Sequence, residues 1–145
     1  MKTTLFTCTL LLLVIAGSAQ SVKPCEDWVT DFIQVNPKMN DGSAIDKYVT
    51  TKLLDDASLK SKATCMIGLK IYVNCRGEYS YEKQPYRNNP ALTAQCDNLL
   101  QQTESILNGV KTFLPGKIAG ENKDFTFKIV VKVKHNGQPT AELLY

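Results

Sequence analysis

Apolar residues recur along this chain at more than one period, and each period predicts a different kind of element. Trp28, Phe32 and Val35, with Val29 and Ile33 beside them, fall at the spacing that gathers side chains on one helical face. Pro24 suits a first helical turn, Glu26 and Asp27 complement the positive end of the dipole, and Asn36 with Pro37 stops the run. The pattern predicts a first helix over about 24–35. Beyond a turn-rich stretch to Gly42, Ser43 is a candidate cap. Ile45, Tyr48, Val49 and Leu53 then trace a second helix over about 44–55.

From Ser58 two periods compete. Ala63, Met66, Ile67 and Ile71 fit a third helix, the favoured reading, whereas Leu69, Ile71, Val73 and Cys75 alternate with Lys70, Tyr72, Asn74 and Arg76 as a strand would. Gly68 marks where one could give way to the other, so residues 69–75 stay open between helix and strand. Arg76 to Asn89 reads as a polar loop carrying Tyr79, Tyr81 and Tyr86. Asn89 and Pro90 then open the clearest element, a helix over about 90–113 whose stripe is Leu92, Cys96, Leu99, Leu100, Thr103, Ile106, Leu107, Val110 and Phe113. Pro115 and Gly116 end it.

The tail changes to a period of two. Phe125, Phe127, Ile129, Val131 and Val133 face one way and Thr126, Lys128, Lys132 and Lys134 the other, with Val130 as the exception. Asn136 and Gly137 suit a hairpin turn into a return strand through Thr140 to Tyr145. Together these elements predict a mainly α (α+β) domain of three or four helices, stapled by disulfides and closed by a C-terminal β-hairpin.

The N-terminus bears on the chemistry of the whole chain. Lys2, an apolar run from Leu5 to Ala16, and small residues at Gly17, Ser18 and Ala19 form the charged, apolar and small-residue order of a secretory signal. The apolar core is shorter than the roughly 20 residues of a membrane-spanning helix. The expectation is therefore a signal peptide over 1–19 and one secreted, extracellular domain over 20–145, with no transmembrane segment. Cleavage removes Cys8 and leaves four cysteines, Cys25, Cys65, Cys75 and Cys96, an even set in an oxidising compartment.

Four cysteines allow three pairings. A continuous helix would hold Cys65 and Cys75 about 15 Å apart, beyond the roughly 7 Å that a disulfide spans. Cys25 with Cys65 and Cys75 with Cys96 is the favoured pairing; a strand over 69–75 would place Cys65 and Cys75 in separate elements and reopen their own. The spacing of Cys25, Cys65 and Cys75 resembles the latter part of the insect odorant-binding pattern. Cys96 comes far later than that family's last cysteine, so no family is assigned.

Charge and side-chain chemistry narrow the function by subtraction. Loss of Lys2 takes the 17 basic residues to 16 against 14 acidic ones, a near balance that does not suit a nucleic-acid binder. The single histidine, His135, sits beside the predicted hairpin tip with no nucleophile or carboxylate adjacent in sequence, so a catalytic triad is not expected. Glu26 with Asp27 and Asp55 with Asp56 lie at predicted helix ends, where dipole and capping roles explain them. No metal-ligand spacing, glycine-rich phosphate cradle or other cofactor motif occurs. The expectation is a non-enzymatic extracellular binding protein without cofactor. Its candidate partner-binding cluster is Tyr79, Tyr81, Lys83, Tyr86 and Arg87, suited to a protein or glycan partner, since tyrosine combines contact area with a polar tip. The outward lysines of the tail strand are a lesser candidate. The alternative is a carrier of a small apolar ligand enclosed by the helical stripes.

Overall fold

The structure is a computed structural model that describes residues 21–25, 36–55, 65–84, 93–133 and 138–144. The signal segment, the body of the first predicted helix, Tyr86, Arg87, His135 and the hairpin turn lie outside the described residues. Among those described, the chain runs α1 (Ile45–Asp55), β1 (Cys65–Val73), β2 (Tyr79–Gln84), α2 (Thr93–Asn108), β3 (Gly116–Ile118), β4 (Glu121–Lys123), β5 (Phe125–Val133) and β6 (Pro139–Leu144). β2, β1, β5 and β6 form one antiparallel sheet in that order, and β3 pairs with β4. The domain is thus mostly β, which corrects the expected mainly α domain of three or four helices.

The segment from Cys65 decides this difference. Its helical reading loses because the tail strand presents an apolar row that needs a partner row. Val73 opposes Phe125, Ile71 opposes Phe127, Leu69 opposes Ile129 and Ile67 opposes Val131. Two β-rich apolar rows thereby share one face of the sheet, and such cross-strand packing outweighs local helix period. β2, expected as loop, is the second correction. Its Tyr79–Ser80–Tyr81–Glu82–Lys83–Gln84 alternation pairs with β1 from Val73 back to Gly68.

Both helices cover that same face. Ile45, Val49 and Leu53 of α1 and Cys96, Leu99 and Leu107 of α2 join the inner sheet residues in one core. α1 matches its predicted span, although Ala44 rather than Ser43 accepts the first helical bond, from Tyr48. The Ser43 amide and hydroxyl both donate to Asp41 Oδ1 instead, forming the turn before the helix and holding the Asp41 carboxyl below its ordinary range. α2 ends earlier than expected. Gly109 and Val110 close it with tight bonds to Ile106 and Leu107, and Phe113 leaves the helical stripe to pair with Met39. The Phe113 ring then packs edge-on against Tyr79 and Phe127, with centroids 5.1 and 5.5 Å away.

Two disulfides are present, but their pairing corrects the favoured one: Cys25 joins Cys75, and Cys65 joins Cys96. The reason is the strand. Extended at about 3.3 Å per residue, the Cys65–Cys75 segment puts its two cysteines at opposite ends of β1. Cys65 is its first residue and Cys75 lies two residues past its last, so neither can reach the other. Cys96 on α2 meets the Cys65 end, while Cys25 is held at the Cys75 end.

Candidate functional site

A four-stranded open sheet has two edges, and the two are treated differently here. The phase of β2 is set by the turn, where the Asn74 amide donates to the Glu78 carbonyl at 2.9 Å. Alternation along an antiparallel ladder then turns Ser80, Glu82 and Gln84 inward to β1, and points the N–H and C=O of Tyr79, Tyr81 and Lys83 outward. No described strand pairs with that outer edge.

The β6 edge is closed by two devices. By the same alternation Pro139, Ala141 and Leu143 face outward; Pro139 has no N–H, and the Ala141 amide donates to Thr50 Oγ1 of α1 at 2.8 Å. α1 therefore lies beside β6 and engages this edge at Ala141, a known way of blunting an edge strand.

The turn that presents β2 is fixed by buried hydrogen bonds and by a glycine. Asn74 is fully buried; its Oδ1 accepts from the amides of Arg76 and Glu78 at 3.0 Å each, and its Nδ2 donates to Lys23 O and Glu78 Oε2. Asn74 and Arg76 hold the Glu78 carboxyl below its ordinary range. Gly77 has a positive φ of 81°, and a Cβ there would meet the Phe113 carbonyl oxygen at 2.1 Å, so no other residue fits.

Of the residues singled out in the sequence, Tyr79 and Tyr81 turn their side chains to α2. The Tyr79 hydroxyl donates toward the carbonyls of Leu107, near the end of α2, and of Val110, just past it, the Leu107 oxygen also accepting from the Val110 amide. Its ionisation is pushed up to about 12, first by burial and then by Tyr81 and Tyr48. Tyr81 reaches Asn108 Oδ1, and burial raises its ionisation too. Lys83 pairs with Glu104 at 3.3 Å. These three share one face of β2, beside its open backbone edge.

On the other face of the sheet, Lys128 stands opposite Lys70, and Lys132 is paired with Glu142 at 2.7 Å. Lys134 is outside the described residues.

Sequence reasoning did not find one buried polar centre. Asp124, 4 % exposed, accepts the Cys25 amide at 2.9 Å and the Tyr72 hydroxyl at 2.6 Å on Oδ2, and the Cys75 amide at 2.7 Å on Oδ1. Burial, reinforced by Asp124, raises the Tyr72 ionisation. The sulfurs of Cys25 and Cys75 lie within 4.8 Å of this carboxylate, but both are spent in their disulfide and offer a metal no thiolate. No local motif marks Asp124, because its donors come from two distant segments, one at Cys25 and one at Tyr72 and Cys75.

Among the described residues no helix is long and apolar enough to cross a membrane. The chain matches no protein-family model, no curated protein and no solved structure.

Proposed function

We propose that this is an extracellular, non-enzymatic binding protein that receives an extended segment of a partner protein along the outer edge of β2. One observation carries the reading: α1 and Pro139 blunt the β6 edge, whereas Tyr79, Tyr81 and Lys83 direct three N–H and C=O pairs to an edge that no described strand covers. Strand addition draws affinity from such main-chain groups and specificity from alternate side chains. A protein partner suits this edge better than a glycan, because the Tyr79 ring packs on Phe113 and its hydroxyl is engaged at α2, leaving little ring face for a sugar. The two disulfides fit an extracellular setting.

The apolar-carrier alternative depends on helical stripes facing one another. Here the stripes of α1 and α2 join the inner sheet residues in one core, where Val49, Leu53, Leu99 and Leu107 are 1 % or less exposed.

Tyr81→Pro tests the proposal. It removes an outward N–H and no bond to β1, so folding by circular dichroism should persist, as an edge strand tolerates proline at such a position. Binding to a partner purified from the extracellular fluid should fall at least about tenfold. Tyr81→Val, which keeps the amide, separates the lost ring from the lost N–H. Undiminished binding by a folded Tyr81→Pro protein would sink the proposal.

A further inference from the structure

Asp124 does more than fill its site. We infer that it is the positioning residue that selects Cys25 as the partner of Cys75. Its carboxylate accepts the amides of both joined cysteines, one on each oxygen, at 2.9 and 2.7 Å. It is 4 % exposed, contacts no cation among the described residues, and takes a third bond from the Tyr72 hydroxyl. Two of the three donors that make this buried charge tolerable thus belong to the residues being cross-linked. A charge-assisted bond is worth more than a neutral one, and a buried carboxylate left short of donors is costly.

The acceptor itself is placed without the disulfide. Asp124 directly precedes β5, and the Tyr72 that holds it lies on β1, whose ladder to β5 runs from Val73–Phe125 to Cys65–Val133. Once that ladder forms, the Cys75 amide and the carboxylate are already together at its end. Cys25, 50 residues from Cys75 in sequence, must come to them. Closing such a loop costs entropy that the Asp124–Cys25 bond offsets. Asn74 adds a second grip by donating to Lys23 O at 3.1 Å. Neither Cys65 nor Cys96 has this carboxylate beside it; they join at the other end of β1.

The oxidation balances with a glutathione disulfide as oxidant. One cysteine thiolate attacks that disulfide and expels a glutathione thiolate. The second cysteine thiolate then breaks the resulting mixed disulfide, forming the Cys25–Cys75 bond and expelling another. Two electrons pass to glutathione, and its two thiolates take up the two protons that the cysteines lost. Asp124 takes no proton in this sequence and acts by holding the two backbones together.

The test is equilibration of the folded full chain with reduced and oxidised glutathione, each bridge being quantified by peptide mapping under non-reducing conditions. For Asp124→Asn the effective concentration of the Cys25–Cys75 pair should fall about tenfold or more, while Cys65–Cys96 holds as internal control. Reoxidation of the unfolded variant should also yield Cys25 joined to Cys65 or Cys96. Tyr72→Phe, which leaves both amide bonds, should produce a smaller fall. An unchanged Cys25–Cys75 equilibrium in Asp124→Asn, or an equal fall in both bridges, overturns the inference. The outcome is independent of whether β2 binds a partner.

Discussion

Tyr79, a candidate binding residue, has structural contacts of its own. Its hydroxyl supplies the end of α2 with a donor, and its ring buttresses Phe113. Tyr79→Phe keeps the ring and removes the donor, so chemical denaturation should show a loss of about 1–2 kcal/mol. The residue also predicts a pH dependence. Its folded ionisation at about 12 lies above the unfolded 10.0, so the stabilisation is whole below pH 10 and is lost as pH rises toward 12. Wild type should therefore lose more stability than Tyr79→Phe across that window, measured as the urea midpoint against pH. At Gly77 the outcome is harsher: Gly77→Ala must push the Phe113 backbone away, at a cost of about 2 kcal/mol or more. Thermal melts would check it. Nothing in the sequence around Tyr79 or Gly77 reveals these roles, because the atoms they meet lie some 30 residues further along.

At the scale of elements, legibility follows how local the deciding interaction is. β5 reads from sequence because its alternation holds at every position but Val130, and α1 because three apolar residues and a preceding turn agree. β1 does not, since Met66, Ile67 and Ile71 satisfy a helix as well as a strand until β5 supplies the opposing row. β2 carries a period-two signal in Tyr79, Tyr81 and Lys83 that its polarity masks. As an edge strand it needs only one partner and presents only a partial apolar face. Of the candidate cluster, Tyr79 and Tyr81 turn to α2 and Lys83 pairs with Glu104, beside a backbone edge that no described strand covers. The closure of the opposite edge rests on α1, and this too can be tested. Thr50→Val deletes the acceptor of the Ala141 amide, so hydrogen exchange at Ala141 should speed up and stability drop by about 1 kcal/mol.

For the whole molecule, β1 is the common member of the structure, paired on both sides and cross-linked at its first residue, Cys65, and just past its last, at Cys75. The bridges close separations of 50 and 31 residues, and loop entropy grows slowly enough that each should contribute about 4 kcal/mol. Serine replacement of each pair, compared in denaturant, should give nearly equal losses. A markedly larger loss for Cys25–Cys75 would mean that its removal also loosens the Asp124 bonds. The pairing is illegible in sequence because it depends on β1 being extended, the one element that sequence period leaves open.

An asymmetric pair of edges also limits how copies of this chain can associate. A sheet that offers both edges can recruit molecules at either side and lengthen without end, as fibres do. With the Ala141 amide held by Thr50 and no N–H at Pro139, the four-stranded sheet is better placed to add a strand at β2 than at β6, so copies joined through that sheet would pair β2 to β2 and close as a dimer.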